Sequence, residues 1–173
     1  MAVTSWPRSL AWSEFTEISV RPSGVSENGQ ISVTTDLPTS GIRVIREGST
    51  VRIGDIEVPL VVHKTESWVV TGTKTDDLLS HEQGHFDIAG LVAWELYRRI
   101  MATRAPNAAD LQRQINEHVA RARRKLHGLS GSSTEEGKYD TETAHGTNAA
   151  EQRRWKDLIR ESITHDYRAL PNP

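Results

Sequence analysis

Near Thr75 the chain changes its hydrophobic period, and that change limits what it can fold into. Between residues 11 and 70 the sequence is rich in Val, Ile, Thr, Ser and Gly, with short apolar runs separated by turn signals. Residues 31–33, 42–45 and 51–53 alternate apolar and polar with period two, the pattern of half-buried strands. Residues 58–62 and 68–70 read as further strands, and Asn28-Gly29, Pro38, Gly41, Gly48 and Gly54-Asp55 mark the turns. After Thr75 the spacing becomes helical: Leu78, His81, His85, Ala89, Val92 and Leu96 recur three and four apart and form one stripe. Thr75 suits the N-cap, and Asp76 and Asp77 suit the positive end of the helix dipole.

Pro106 and Asn107 divide this helix from a second, whose apolar face is Leu111, Ile115, Val119, Ala122 and Leu126 and whose stop signal is Gly128. Residues 129–138 read as a loop whose Gly, Ser and Glu content predicts mobility. A last helix is expected over about residues 147–167, with Trp155, Leu158, Ile159, Ser162 and Ile163 inward. The expected fold is therefore α+β: a small, mostly antiparallel N-terminal sheet followed by three helices. The whole chain, residues 1–173, reads as one domain, with strands mainly in 1–75 and helices mainly in 76–173.

The inward stripe of the first helix carries His81-Glu82-Gln83-Gly84-His85, an H-E-x-x-H motif. Histidines four apart sit one turn above each other, so both imidazoles can reach one ion. The intervening Glu82 is then placed to take a proton from water at that ion. The chain has no cysteine, so a bound metal must rely on His and carboxylate ligands. A catalytic zinc usually takes three protein ligands, and position 91, where a short continuation would supply a third His, is Leu91.

Candidates farther along are His118, His127, His145, His165, Asp140, Glu142 and Glu151. His145 is preferred, because it lies in a polar segment between a loop and a helix and Gly146 permits close approach. Glu151, on the inward stripe with Trp155 and Leu158, is the strongest carboxylate rival, and Glu142 a weaker one. In this reading Tyr139 donates its phenol to a developing oxyanion and Asp140 orients a ligand imidazole. Asp87 lies roughly 200° round the helix from His85, which excludes direct coordination and points to a supporting or salt-bridge role. His63, His118 and His127 have no motif around them and read as surface or packing residues.

Several segments resemble one bacterial family, the domain of unknown function 922. They are Ser67-Trp68, the stretch from Thr75-Asp76-Asp77 through His81-Glu82-Gln83-Gly84-His85-Phe86-Asp87-Ile88, and Tyr139-Asp140-x-x-Thr143-x-His145-Gly146. Leu10-Ala11-Trp12-Ser13-Glu14-Phe15, Gln152 and Trp155 resemble it too. That family is regarded as predicted zinc-dependent proteases, many of them exported. The resemblance implies His81 and His85 as zinc ligands, Glu82 as base and the His145 segment as the remaining ligand source.

The expected function is a zinc metallopeptidase of the zincin type, acting on a peptide or protein substrate, with residues 68–70 as an edge strand that pairs with extended substrate. Two alternatives stand beside it: a zinc-containing binding module that cuts nothing, and a metal-dependent hydrolase of a non-peptide bond. The net charge of −2 argues against a general polyanion-binding surface, so no nucleic acid is expected as partner. The basic group Arg121, Arg123, Arg124 and Lys125 reads as a solvated helix end. No apolar run is long enough to span a bilayer, and residues 1–10 do not read as a secretory signal. The expected location is cytoplasmic if the chain is complete, and exported if Met1 heads a mature segment.

Overall fold

The computed structural model describes residues 3–35, 37, 42–131, 135–165 and 170. Its strands are β1 (Val3–Thr4), β2 (Thr16–Ile18), β3 (Gly29–Gln30), β4 (Val33–Thr35), β5 (Val44–Glu47), β6 (Thr50–Ile53), β7 (Val58–Val62) and β8 (Trp68–Val70). Four helices follow: α1 (Asp76–Ala102), α2 (Ala108–Ser130), α3 (Lys138–Thr143) and α4 (Ala149–Thr164). The strands form three small sheets in the orders β1-β7-β4, β2-β8-β3 and β5-β6. The fold is α+β, as the change of period predicts.

The sheet is less antiparallel than expected. β1 pairs parallel to β7, with Val3 opposite Val58, and β2 pairs parallel to β8, with Thr16 opposite Trp68. The other pairings are antiparallel. β8 is also a central strand, flanked by β2 and β3, so residues 68–70 offer no free edge to a substrate. Trp68 and Val69 are accordingly both buried, although they point to opposite faces.

α1 is the central element. Thr75 caps it, its hydroxyl accepting from the Leu78 N–H at 3.1 Å. Phe86, Ile88, Ala89, Leu91, Val92 and Ala93 are all buried, so mid-helix the chain is covered on every side. Burying each large member of that set contributes roughly 1.5–3 kcal/mol. The first core cluster surrounds this stretch with Trp6, Leu60, Leu129, Tyr139 and Trp155, and Gly90 leaves room where a Cβ would meet the Trp6 indole. A second cluster joins Leu96 and Ile100 to Val51 and Ile53 of β6 and to Leu111 and Ile115 of α2.

α2 runs through Gly128 to Ser130, and Gly131, at φ 79°, makes the stop instead. The reason is Leu129, which is fully buried and keeps the helix going for its own packing. Lys125 is not solvated with its basic neighbours: its ammonium reaches Glu95 of α1 at 2.9 Å and the Leu170 carbonyl at 2.9 Å. α3 is an additional helix that the loop composition hides. α4 begins at Ala149, capped by Asn148, and has Trp155, Ile159 and Ser162 buried. Pro38, Gly41 and Tyr167 lie outside the described residues. Among the described residues, no helix is long and apolar enough to cross a membrane.

Candidate metal centre

His81 and His85 both lie in the first half of α1, their ring centroids 4.9 Å apart and their planes near perpendicular. His81 is 3% exposed. α3 runs across this end of the helix and brings Asp140 between the rings: its Oδ1 lies 3.2 Å from His81 Nε2 and 2.8 Å from His85 Nε2. The three side chains offer ligand atoms that all lie within 4.8 Å of one another. A tetrahedral zinc with bonds of about 2.0–2.1 Å separates its ligand atoms by roughly 3.3 Å, close to the observed spacing. Burial pushes Asp140 toward neutrality, but the charges and hydrogen bonds of His85 and His81 outweigh it and hold the carboxyl below the ordinary aspartate range.

The wiring behind His81 makes a donor of one ring nitrogen. The Tyr139 hydroxyl donates to the His81 carbonyl at 3.2 Å, so it accepts from the Gln152 amide at 2.6 Å. That orientation turns Gln152 Oε1 toward His81 Nδ1, 3.2 Å away, and makes Nδ1 the donor. His81 Nε2 is thereby aimed at the Asp140 carboxylate. His81, His85 and Asp140 are a donor set that could hold a divalent metal. His85 Nδ1 contacts Ser130 Oγ at 2.6 Å, a second outer support supplied by the end of α2.

Glu82 is 2% exposed, and one carboxylate oxygen accepts the Ile31 N–H at 2.9 Å. Burial pushes its carboxyl up to about 7, with His81 working against the rise. Ile31 belongs to the stretch between β3 and β4, which forms one wall of an open cleft. His81, Glu82, His85 and Asp140 line that cleft, together with residues 144–147 and the start of α4.

The remaining candidates fall elsewhere. Tyr139 is fully buried behind His81, stacked on its ring at 4.8 Å, and its phenol is committed to His81 and Gln152. The oxyanion role expected of it is therefore corrected to a supporting one, and burial raises its pKa above the ordinary phenol range. Gly84 makes the approach possible, since a Cβ there would collide with the Tyr139 hydroxyl. His145 does not stand between the two imidazoles. It sits one step out, with Nδ1 3.8 Å from Asp140 Oδ1 and 3.2 Å from Glu27 Oε1, and Nε2 3.2 Å from Glu136 Oε1.

Ala144 and His145 adopt φ of 48° and 50°, a left-handed turn that costs non-glycine residues of order 1–3 kcal/mol each. The turn seats Gly146 against the His81 ring. Glu151 pairs with Arg154, and Glu142 accepts from Arg154 and from Trp155 Nε1, so neither carboxylate faces the motif. Asp87 accepts from Trp6 Nε1 at 2.9 Å and from Gln83 at 3.1 Å, tying the N-terminal segment to α1 rather than forming a salt bridge. His118 contacts Thr103, His127 lies by Glu135, His63 contacts Thr34 and His165 caps α4. Glu27, Ser130 and Glu136 carried no local signal. Gln152 was marked only by the family resemblance.

The profile of a family described as "bacterial protein of unknown function (DUF922)" matches residues 64–146, a span that runs from β8 through His145 and contains His81, Glu82, His85 and Asp140. No curated relative and no solved structure shows significant similarity to the chain.

Proposed function

We propose that this chain, a relative of that bacterial family, is a zinc-dependent metallopeptidase of the zincin type, with His81, His85 and Asp140 as ligands and Glu82 as general base. The observation that carries the reading is the hydrogen-bond circuit through Tyr139 and Gln152, which orients His81 Nε2 toward the Asp140 carboxylate beside His85 Nε2. A divalent ion held there supplies Lewis acidity, polarising a carbonyl and bringing the acidity of water into the neutral range.

The rest is the work of the chain. Glu82, buried and with its carboxyl raised to about 7, can hold the proton of an attacking water at one carboxylate oxygen while the other keeps the Ile31 N–H. The same oxygen can return that proton to the departing amine. Ser130 and Gln152 orient the two imidazoles from behind, so the groups facing the cleft need little reorganisation when substrate arrives. The open cleft beside β3 and β4 supports an extended substrate over a small enclosed one.

The test compares wild type with Glu82→Gln at equal measured zinc content on a panel of unfolded, labelled proteins. Loss of the base is expected to lower turnover by about 10²–10⁴-fold. Equal turnover would remove Glu82 from the mechanism. A zinc-loaded wild type that cuts no peptide bond would turn the reading toward a binding module or a hydrolase of another bond.

A further inference from the structure

α1 carries a second contact stripe on the face turned away from its two motif histidines. At about 100° per residue, Phe86, Asp87 and Gly90 lie within roughly 60° of Gln83, while His81 and His85 lie roughly 160° round from it. Residues 6–10 cover that stripe in reverse order, Leu10 at Gln83 and Trp6 at Asp87 and Gly90. The Gln83 amide accepts the Leu10 N–H at 2.7 Å and donates to the Arg8 carbonyl at 3.0 Å and to Asp87 Oδ2 at 3.1 Å. Asp87 accepts from Trp6 Nε1 at 2.9 Å, and the Arg8 guanidinium lies 4.9 Å over the Phe86 ring. Among side chains only a primary amide combines an acceptor with two N–H donors, and all three capacities of Gln83 are used.

Apolar burial holds α1 in the core, but it has no direction and resists sliding or turning of the helix weakly. A metal centre tolerates little of either, since its groups must stay within about 0.5 Å and 10–20° of working geometry. Hydrogen bonds to fixed backbone groups are directional, and those of Gln83 act in the very turn that joins Glu82 to His85. We propose that residues 6–10 form a positioning strap for the metal centre: Gln83, gripping their backbone, sets the slide and rotation of the turn that presents His81, Glu82 and His85. The inference rests on the metal reading of that site. Gln83 faces away from the ligand atoms, so it is a positioning residue and not a catalytic one. The family match spans residues 64–146, so the strap lies outside it.

Zn²⁺ has no visible spectrum, so Co²⁺ is the probe, titrated into the full, chelator-stripped chain. Wild type is expected to bind one equivalent and to show a visible d–d band. Gln83→Met keeps length and helix propensity but donates no hydrogen bond and accepts only weakly. With native circular dichroism, it should bind Co²⁺ about 10-fold more weakly and with an altered band. Gln83→Glu keeps an acceptor for Leu10, loses both donations, and should shift the same way. Ile100→Ala, which lowers stability from the far half of α1, is the control and should keep the wild-type band and Kd. A wild-type band and Kd in Gln83→Met would reduce the strap to a stabilising contact and overturn the inference with the metal centre intact. Should Gln83→Met fail to fold, Gln83→Glu decides by the same criterion. An altered band in Ile100→Ala would also overturn it, because any loss of stability would then disturb the site. No Co²⁺ bound by wild type overturns the metal centre and the strap's role together.

Discussion

His81 and Glu82, and Leu96 and Ile100, belong to one helix and are all buried, but their neighbours are opposite in kind. At the first end, His81, Glu82 and His85 meet Asp140, Gln152, Ser130 and the Ile31 N–H, and their burial is balanced by hydrogen bonds. At the other end, Leu96 and Ile100 meet Val51, Ile53, Leu111 and Ile115, and nothing but apolar contact holds them. The second end resists unfolding through area removed from water. The first end gathers His81, His85 and Asp140, a group that could hold a metal ion, and on that reading a ligand rather than packing completes it. Stability and metal affinity should therefore respond to different halves of α1.

The strongest way to break this division is Ile100→Ala. Ile100 is fully buried, so truncation should cost about 2–5 kcal/mol in urea unfolding of the metal-free protein, with the zinc Kd of the folded fraction unchanged. A Kd that weakens in proportion to stability would mean that the two ends form one unit. Gln152→Leu probes the opposite end. Removing the acceptor for His81 Nδ1 should weaken zinc about 10–100-fold, measured by competition with a chromophoric chelator. Its effect on unfolding of the metal-free chain should be the smaller one, because Gln152 is only part-buried and adds little apolar packing. A large stability loss with zinc affinity intact would show that the circuit through Tyr139 serves packing instead.

The same division explains what could be read in the sequence. α1 and α2 were legible because caps, dipole-matched charges and a stripe three and four apart are local signals, present in Thr75, Asp76 and the Leu111–Ile115–Val119 face. β1 and β2 were not, because strands of two or three residues exist only through distant parallel partners at Val58 and Trp68. The two histidines and Glu82 follow from one helical repeat. The placement of Asp140 between the two imidazoles, with His145 one step out, does not, since both sit in one polar segment. It is decided by six residues of α3 followed by a left-handed turn at Ala144 and His145, a backbone those residue types do not announce. Leu129 hid the end of α2 in the same way, its burial against the core outweighing a glycine just before it.

The smallest effect sharpens the comparison through charge. Glu95 stands in the second half of α1 and accepts from Lys125 of α2 and from Arg99. Burial alone would raise its carboxyl, but those hydrogen bonds and charges prevail and hold it below its ordinary value of 4.5. A carboxyl lowered in the folded state adds stability above its unfolded pKa and loses it as pH falls through the folded one. Glu95→Gln should therefore cost about 1 kcal/mol at pH 7, since the pair is partly screened, and the difference from wild type should shrink toward zero near pH 3. Urea unfolding at the two pH values measures this. Zinc affinity at pH 7 should not move, because Glu95 touches none of the ligands or their supports. A shift in Kd would carry the influence of the α1–α2 contact the full length of the helix, and Ser130 at the end of α2, bonded to His85, would be its route.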